Sequence, residues 1–240
     1  MRCLTQTEIE SRNRTSKALT LPVYSTNMSL SLQLQHLERP GYSIDLFVPN
    51  VEEVQESYLK QKQVQAQVPF PHWTKLWPAA LAMADFIHHH RELVQHKNVL
   101  ELAAGLGLPS FVAASHAKAV CCSDYLSAAV AAMGKSARHL QLSNVTCEVL
   151  DWNHLPTDLT ADVLLLSDIN YDPDQFNRLY EVLQQFLQQG TLVLLTTPQR
   201  LMAKPFIEKL LPFCRQQYEM TVSHLQQHTP ISLLLLQEQV

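Results

Sequence analysis

Apolar and polar residues alternate in the first part of the chain. In residues 29–34 every second side chain is apolar, which indicates a half-buried strand. Pro40 and Gly41 form a turn signal, after which residues 42–48 can return as a second strand. The pattern therefore predicts a strand pair near the start of the chain.

Helical periodicity follows the strand pair. Asn50 can cap a helix over residues 51–63, whose apolar residues fall on one face. A second helix is predicted over residues 78–88. The segment before the strand pair, residues 1–27, is polar and lacks periodicity, so we expect a flexible N-terminal arm there.

From residue 97 onward, strands and helices alternate. Continuous apolar runs such as residues 163–167 are typical of strands buried on both faces of a parallel sheet. The pattern predicts strands over residues 98–102, 119–123, 146–150, 162–167 and 191–196, and helices over residues 108–117, 127–140, 174–188 and 201–213. Two last strands, near residues 218–222 and 231–236, have no full helix between them. We predict an α/β fold, a doubly wound Rossmann-like seven-stranded sheet with a C-terminal antiparallel hairpin.

A change of pattern also divides the chain. We expect the arm over residues 1–27, an N-terminal extension with the strand pair and helices over residues 28–96, and a ligand-binding domain over residues 97–240.

Glycine is rare in this chain, which makes its placement informative. Only five glycines occur in 240 residues, and Gly105 and Gly107 stand two apart between a predicted strand and a predicted helix. Glycine lets the backbone approach a ligand closely, and the start of a helix offers unpaired N–H groups. The turn is therefore predicted to be a nucleotide-cofactor site.

Acidic residues follow three further strands, namely Asp124, Asp151 and Asp168. In a doubly wound sheet, ligands lie beyond the carboxyl ends of the strands. Asp124 is placed to accept hydrogen bonds from both ribose hydroxyls of an adenosine. This arrangement fits either NAD or S-adenosylmethionine.

The glycine turn favours S-adenosylmethionine over NAD. A dinucleotide site needs a third small residue, usually glycine, where this chain has Ser110, and Pro109 removes an N–H that a pyrophosphate would use. Glu101 precedes Gly105 by four residues, in a place similar to that of the acid near the methionine amino group of methyltransferases. We predict S-adenosylmethionine as the cofactor.

Four motifs resemble those of class I S-adenosylmethionine-dependent methyltransferases. Residues 101–108, ELAAGLGL, resemble motif I of that superfamily. Three more resemble the seven-β-strand protein-lysine methyltransferases of the methyltransferase-like group, methyltransferase family 16: residues 76–79 (LWPA), 150–152 (LDW) and 167–171 (SDINY). The resemblance covers residues 73–197 and implies that residues 97–240 form a methyltransferase domain.

The resemblance also implies roles for single residues. Two tryptophans would flank the cofactor, the turn would lie under its methionine part, and a serine would touch it. With the strand-end acids, the predicted cofactor-binding residues are Trp77, Glu101, Ala103, Ala104, Gly105, Gly107, Asp124, Asp151, Trp152 and Ser167. Ala103 stands where the family commonly has glycine, and Leu106 where it has a small or polar residue, which narrows the turn.

The predicted catalytic residues are Asp168 and Tyr171, which match the family's Asp-x-x-Tyr motif on the side of the target amine. Methyl transfer is an in-line displacement that needs alignment and exclusion of water. We expect Asp168 to orient the amine rather than to act as an obligate base. Arg200 is either a substrate contact or a solvated charge.

Composition restricts the partners. The net charge of −4 and the lack of basic runs argue against nucleic acid, and no apolar run approaches the ~18 residues of a membrane span. Five cysteines, two of them adjacent, do not form a disulfide framework, so we expect a cytoplasmic protein. His88, His89 and His90 are consecutive and cannot share a metal ion well. We expect a monomer that acts on a protein substrate.

The leading hypothesis is N-methylation of protein lysine side chains. One alternative is methylation of a small molecule or of a glutamine or nucleobase nitrogen, although residues 168–171 lack the prolines of that motif. Another is a non-catalytic protein that binds S-adenosylmethionine.

Overall fold

A computed structural model of the chain describes residues 31–64, 68 and 70–238. The expected arm, and the first two residues of the strand predicted from residue 29, lie outside the described residues. The strands are β1 (Leu32–Arg39), β2 (Tyr42–Pro49), β3 (Asn98–Glu101), β4 (Ala119–Asp124), β5 (Val145–Val149), β6 (Val163–Ser167), β7 (Leu192–Pro198), β8 (Cys214–His224) and β9 (Gln227–Leu236). The α-helices are α1 (Val51–Val64), α2 (Pro78–His89), α3 (Leu108–Ala114), α4 (Ser127–His139), α5 (Phe176–Gln188) and α6 (Lys204–Leu210).

The main sheet has seven strands in the order β5-β4-β3-β6-β7-β9-β8. The strands from β3 to β7 pair in parallel, whereas β9 runs antiparallel to both β7 and β8. The chain moves outward from β3 to β5 and then returns to β6 beside β3, so the topological switch point lies between β3 and β6. The predicted fold class, including the C-terminal antiparallel hairpin, is confirmed.

Alternation along the inner strands supplies two hydrophobic layers, one on each face of the sheet. Val99 and Leu165 join the cluster that holds α2 and α3, while their neighbours Leu100 and Leu164 join the cluster that holds α5 and α6. All four side chains are almost fully buried. Continuous apolar runs are therefore required here, because each successive side chain enters a different layer.

The N-terminal hairpin of β1 and β2 is a separate two-stranded sheet, which buries Leu37 and Leu46 in the core and also makes polar contacts with the domain. At its turn, Arg39 forms an ion pair with Asp85 of α2, and the Tyr42 hydroxyl donates to the same carboxylate over 3.0 Å. Farther along, the Phe47 N–H donates to the Ser136 hydroxyl of α4 over 2.9 Å. The hairpin thus lies across α2 and α4.

One predicted helix is wrong in form. Residues 201–213 were expected to make one helix, but the structure has a 3₁₀ turn (Leu201–Ala203), the short helix α6, and a second 3₁₀ turn (Leu211–Phe213). Pro205 lies in the first turn of α6, where its missing N–H costs nothing, and Pro212 cannot continue the helix.

Candidate active site

An open cavity lies at the switch point of the sheet. Its empty volume is about 950 Å³, counted with the open space at its mouth. The carboxyl ends of β3, β4 and β6 reach it, together with the segment before α2. Its lining includes these predicted site residues: Trp77, Ala103, Ala104, Gly105, Asp124, Trp152, Ser167, Asp168 and Tyr171. The remaining predicted ones, Glu101, Gly107 and Asp151, are not in this lining.

Gly105 and Gly107 have different surroundings although both have left-handed backbones, with φ of +58° and +77°. A Cβ on Gly105 would make ordinary contacts with Trp73, which also lines the cavity. A Cβ on Gly107 would lie only 2.9 Å from the Cys122 sulfur and 3.0 Å from the Phe111 ring. Gly107 therefore allows α3 to pack on the sheet, whereas Gly105 faces the cavity.

Ala103 and Asp168, at two neighbouring strand ends, share an unusual backbone conformation. Their φ values are +53° and +58°, in the left-handed region that L-residues rarely adopt. Each such conformation costs roughly 1–3 kcal/mol, and such residues concentrate at functional sites. The two strained residues lie on either side of the switch point, and both line the cavity.

The Asp124 carboxylate is buried in the cavity wall and held by backbone donors. One oxygen accepts from Gly105 N–H over 3.1 Å and the other from Leu126 N–H over 3.0 Å. Burial raises the pKa of Asp124, and these backbone hydrogen bonds oppose that rise. The carboxylate thus connects the glycine turn to the start of α4 while remaining in the cavity wall.

Glu101 lies beneath the glycine turn rather than in the cavity. Its carboxyl accepts from the Ser110 N–H over 3.0 Å and from the Ser110 hydroxyl over 2.6 Å, and the side chain is 1% exposed. Burial raises the pKa of Glu101 to about 8. Ser110, which replaces the third glycine of a dinucleotide fingerprint, thus fastens the first turn of α3 to the end of β3.

The two predicted tryptophans occupy different parts of the wall. Trp77 donates its indole N–H to the His72 carbonyl over 2.7 Å, and the Lys75 ammonium lies 4.0 Å from its ring centroid. Trp152 follows β5 in a 3₁₀ turn, where its carbonyl accepts from the Arg178 guanidinium. Asp151 accepts from Asn153 N–H and so caps that turn. Asp151 lines a second, adjoining cavity, and Trp152 lines both cavities.

Asp168 forms an ion pair with Arg200 in the cavity wall. Each terminal nitrogen of the guanidinium donates to a different carboxylate oxygen, one of them over 2.9 Å. The Asp168 side chain is 7% exposed and that of Arg200 is 30% exposed. The sequence left two interpretations of Arg200 open, a substrate contact or a solvated charge. The second is wrong, because Arg200 is paired with Asp168, the predicted catalytic acid.

Tyr171 stands beside Asp168 at the cavity mouth, 41% exposed. Its ring centroid lies 5.0 Å from that of His72, which in turn contacts Phe70 at 4.7 Å. Burial and the nearby cations Lys75 and Arg200 lower the pKa of His72, against a smaller opposing effect of Asp168. A cluster of aromatic rings thus lines the same cavity as Asp168.

Ser167 lines the cavity, and its hydroxyl oxygen is buried. Its hydroxyl has no hydrogen-bond partner among the described residues, although buried hydroxyls nearly always have one. The Asn170 amide nitrogen, three residues on, is likewise without a partner there, while its oxygen accepts from the Thr197 hydroxyl over 2.9 Å. An unpaired hydroxyl in a cavity wall is a position where a ligand can supply the missing hydrogen bond.

Sequence reasoning missed several residues of this wall, among them His72 and Phe70. Both precede α2 in a segment without periodicity, so no pattern indicated them. The position of Arg200 could have been inferred from the sequence. Arg200 follows β7 and Asp168 follows β6, and these strands are neighbours in a doubly wound sheet, so the two residues come close together.

The consecutive histidines have separate packing roles. His88 stacks on Tyr42, His89 contacts the Asp85 carbonyl, and His90 stacks on Phe86. In the described ranges, no group of three or more His, Cys, Asp or Glu side chains is arranged to hold a metal ion. No described helix has both the length and the apolar character required to cross a bilayer.

Comparison with known proteins identifies relatives of this chain. It is 31% identical over 107 residues to the human histone-arginine methyltransferase METTL23, a match that covers 42% of this chain and 56% of the relative. It is 28% identical over 167 residues to the protein N-terminal and lysine N-methyltransferase EFM7 of Candida glabrata, covering 63% of this chain and 65% of the relative. The chain spans about half the length of the first curated relatives it matches.

Solved structures share the fold. The N-methyltransferase NodS from Bradyrhizobium japonicum, in complex with S-adenosylhomocysteine, has a TM-score of 0.56 at 12% identity, covering 76% of this chain and 99% of that chain. The putative RNA methyltransferase PH1948 from Pyrococcus horikoshii has a TM-score of 0.54 at 14% identity, covering 68% and 85%. A family model described as lysine methyltransferase matches residues 56–212. Because this match includes more than half of the chain, the protein belongs to the lysine methyltransferase family.

Proposed function

We propose that this protein transfers a methyl group from S-adenosylmethionine to the side-chain nitrogen of lysine in a protein substrate. Family membership supports the reaction class and the methyl donor. The observation that carries the proposal is the single cavity wall shared by the glycine turn, Asp124, Asp168 and Tyr171. The proposed donor site and the proposed acceptor site are thereby next to each other.

The residues present fit S-adenosylmethionine. Asp124 offers a fixed carboxylate for ribose hydroxyls, Gly105 allows close approach, and the unpaired Ser167 hydroxyl needs a polar partner. When bound, the cofactor supplies a sulfonium methyl group; the acceptor nitrogen uses its lone pair to form the new N–C bond, and the C–S electron pair returns to sulfur. Trp77 and Trp152 are proposed to enclose the bound cofactor.

Asp168 and Tyr171 are proposed to align the acceptor. A neutral amine can donate one N–H to the Asp168 carboxylate, which leaves its lone pair directed elsewhere. Tyr171, with His72 and Phe70, is proposed to pack against the alkyl chain of an entering lysine, and removal of water from the amine on binding would lower its pKa. The nitrogen therefore reaches the site in the form that can react.

A second candidate acceptor is arginine, because one relative is named as a histone-arginine methyltransferase. The two relatives compared above thus differ in the acceptor that their names state.

We also propose a cytoplasmic monomer. Support for a reducing compartment is that no disulfide joins the cysteines in the described part of the chain, namely Cys121, Cys122, Cys147 and Cys214. Gel filtration of the purified chain tests the oligomeric state.

Calorimetric titration with S-adenosylhomocysteine, and in parallel with NADH, tests the donor site. Micromolar binding of the former alone is the expected result, and binding of NADH alone would refute it. Transfer from labelled S-adenosylmethionine to a lysine peptide pool then tests the reaction. We expect Asp168→Asn to lose most turnover with little change in cofactor affinity. The matched control Asp174→Asn removes an exposed acid nearby and should retain turnover.

A further inference from the structure

The ion pair between Asp168 and Arg200 determines how much of the carboxylate is available to an acceptor. Both terminal nitrogens of the guanidinium are used, one for each carboxylate oxygen. The pair lies in the cavity wall, with the carboxylate almost fully buried and the guanidinium partly open to solvent. Any acceptor that uses Asp168 must therefore share it with Arg200 or displace Arg200.

Backbone structure fixes the two partners at this position. Asp168 directly follows β6 and Arg200 lies two residues beyond β7, and these strands are parallel neighbours paired through Ser167 and Thr196. Asp168 N–H donates to the Thr196 carbonyl over 2.9 Å, and Arg200 N–H donates to the Pro198 carbonyl over 2.8 Å. Both side chains therefore project from hydrogen-bonded turns at one edge of the sheet.

Amines and guanidinium groups differ in how many hydrogen-bond acceptor positions of the Asp168 carboxylate they require. A carboxylate has about four lone-pair positions, so with two of them used by Arg200 it can still accept one N–H from an amine. A guanidinium binds best through two parallel hydrogen bonds, which here requires both oxygens. It would replace Arg200 by an identical group, with no net gain of hydrogen bonds, and would leave the displaced arginine without its partner.

The charges around Asp168 also favour an amine over a guanidinium group as the acceptor. Arg200 neutralises Asp168, and the Lys75 ammonium lies in the same wall over the Trp77 ring. The other lining carboxylate, that of Asp124, is already held by backbone N–H groups. A lysine side chain can enter as a neutral amine after losing its proton, whereas an arginine side chain keeps its charge.

We propose that Arg200 is a specificity-determining residue, which occupies Asp168 so that the site accepts amines and rejects guanidinium groups. This inference rests on the proposed function for its acceptor site. It assigns the protein to amine acceptors, in contrast to the arginine acceptor in the name of one relative.

A binding experiment tests Arg200 without any knowledge of the natural substrate. Methylguanidinium is titrated into the parent protein, Arg200→Ala and Arg200→Gln, with backbone amide NMR signals as the readout. We expect the two variants to bind methylguanidinium at least tenfold more tightly than the parent, because the paired oxygens become available. The control Lys204→Ala removes a 71% exposed cation four residues on and should behave as the parent. Equal affinity in the parent and in folded variants would overturn the proposal.

A second measurement uses the parent alone and so does not depend on the folding of a variant. Labelled S-adenosylmethionine is supplied with two degenerate peptide pools, which contain either one lysine or one arginine per peptide. We expect labelling of the lysine pool at least tenfold above the arginine pool. Equal or preferred labelling of arginine would overturn the role of Arg200. Labelling of neither pool would instead count against the proposed function, while the methylguanidinium titration would still decide the role of Arg200.

Discussion

Three glycine-to-alanine substitutions separate the structural role of the Gly-x-Gly turn from its predicted cofactor role. Gly105, Gly107 and Gly190 all have positive φ, so alanine is strained by roughly 1–2 kcal/mol at each. They differ in the space that a methyl group would enter. At Gly190 nothing lies within 4 Å, so Gly190→Ala measures the backbone cost alone.

Gly107→Ala adds a steric cost to the backbone cost. The new Cβ would lie 2.9 Å from the Cys122 sulfur and 3.0 Å from the Phe111 ring, both in the packed core. Overpacking of this kind costs about 1–3 kcal/mol. We therefore expect Gly107→Ala to lower the free energy of unfolding by about 2–5 kcal/mol, against about 1–2 kcal/mol for Gly190→Ala.

Gly105→Ala should affect cofactor binding more than stability. Its Cβ would meet Trp73 atoms at 3.5–3.8 Å, which is ordinary contact, so stability should fall only as much as in Gly190→Ala. The methyl group would stand between two parts of the cavity lining, so we expect the Kd for S-adenosylhomocysteine to rise at least tenfold.

Urea denaturation and calorimetric titration of the three variants measure the two effects separately. If Gly107→Ala and Gly190→Ala destabilise the protein equally, within about 0.5 kcal/mol, the steric argument fails. If Gly105→Ala binds S-adenosylhomocysteine as the parent does, the turn is not a cofactor site.

Three further substitutions test other contacts. Asp124→Asn should weaken S-adenosylhomocysteine binding at least tenfold in calorimetry, about 1.4 kcal/mol, and unchanged affinity would remove the ribose assignment. Arg39→Ala leaves the Asp85 carboxylate, 14% exposed, without its ion-pair partner but with the Tyr42 hydrogen bond, and should lower the free energy of unfolding in urea by about 1–3 kcal/mol. The pKa of Glu101 is about 8 in the folded protein and 4.5 when the side chain is exposed, so between these values folding takes up a proton. The contribution of Glu101 to the stability of the fold is therefore fully present below pH 4.5 and is lost as the pH rises through 8. Glu101→Gln, which can still accept from Ser110, should gain stability relative to the parent by about 1.4 kcal/mol per pH unit between pH 5 and 8, and parallel pH profiles would refute the burial argument.

The fold was predictable where the pattern of apolar residues is set by burial. The continuous apolar run at residues 163–167 is typical of a strand with both faces covered, and the strand predicted over residues 162–167 is β6, which begins one residue later. The predicted single helix at residues 201–213 failed because its apolar periodicity was read without the backbone restriction of Pro205 and Pro212. A proline restricts the backbone whatever the apolar pattern around it.

The lining of the candidate cavity was predictable at strand ends and less so elsewhere. Gly105, Asp124 and Asp168 line one cavity because parallel strands end at one edge of the sheet. Glu101 was expected near the methionine group, but its carboxyl contacts Ser110 under the turn. His72 gave no signal, since a side chain from an aperiodic segment enters the site only through tertiary packing.

The attachment of the N-terminal hairpin has a consequence for how the chain folds during synthesis. Arg39 donates not only to Asp85 but also to the carbonyl of Ser223 in β8, over a separation of 184 residues. Ribosomes add about 5–20 residues per second, so roughly 10–40 s pass between the appearance of these two partners. The hairpin therefore completes its attachment only after nearly all of the sheet exists, which makes it a late-folding element of high contact order.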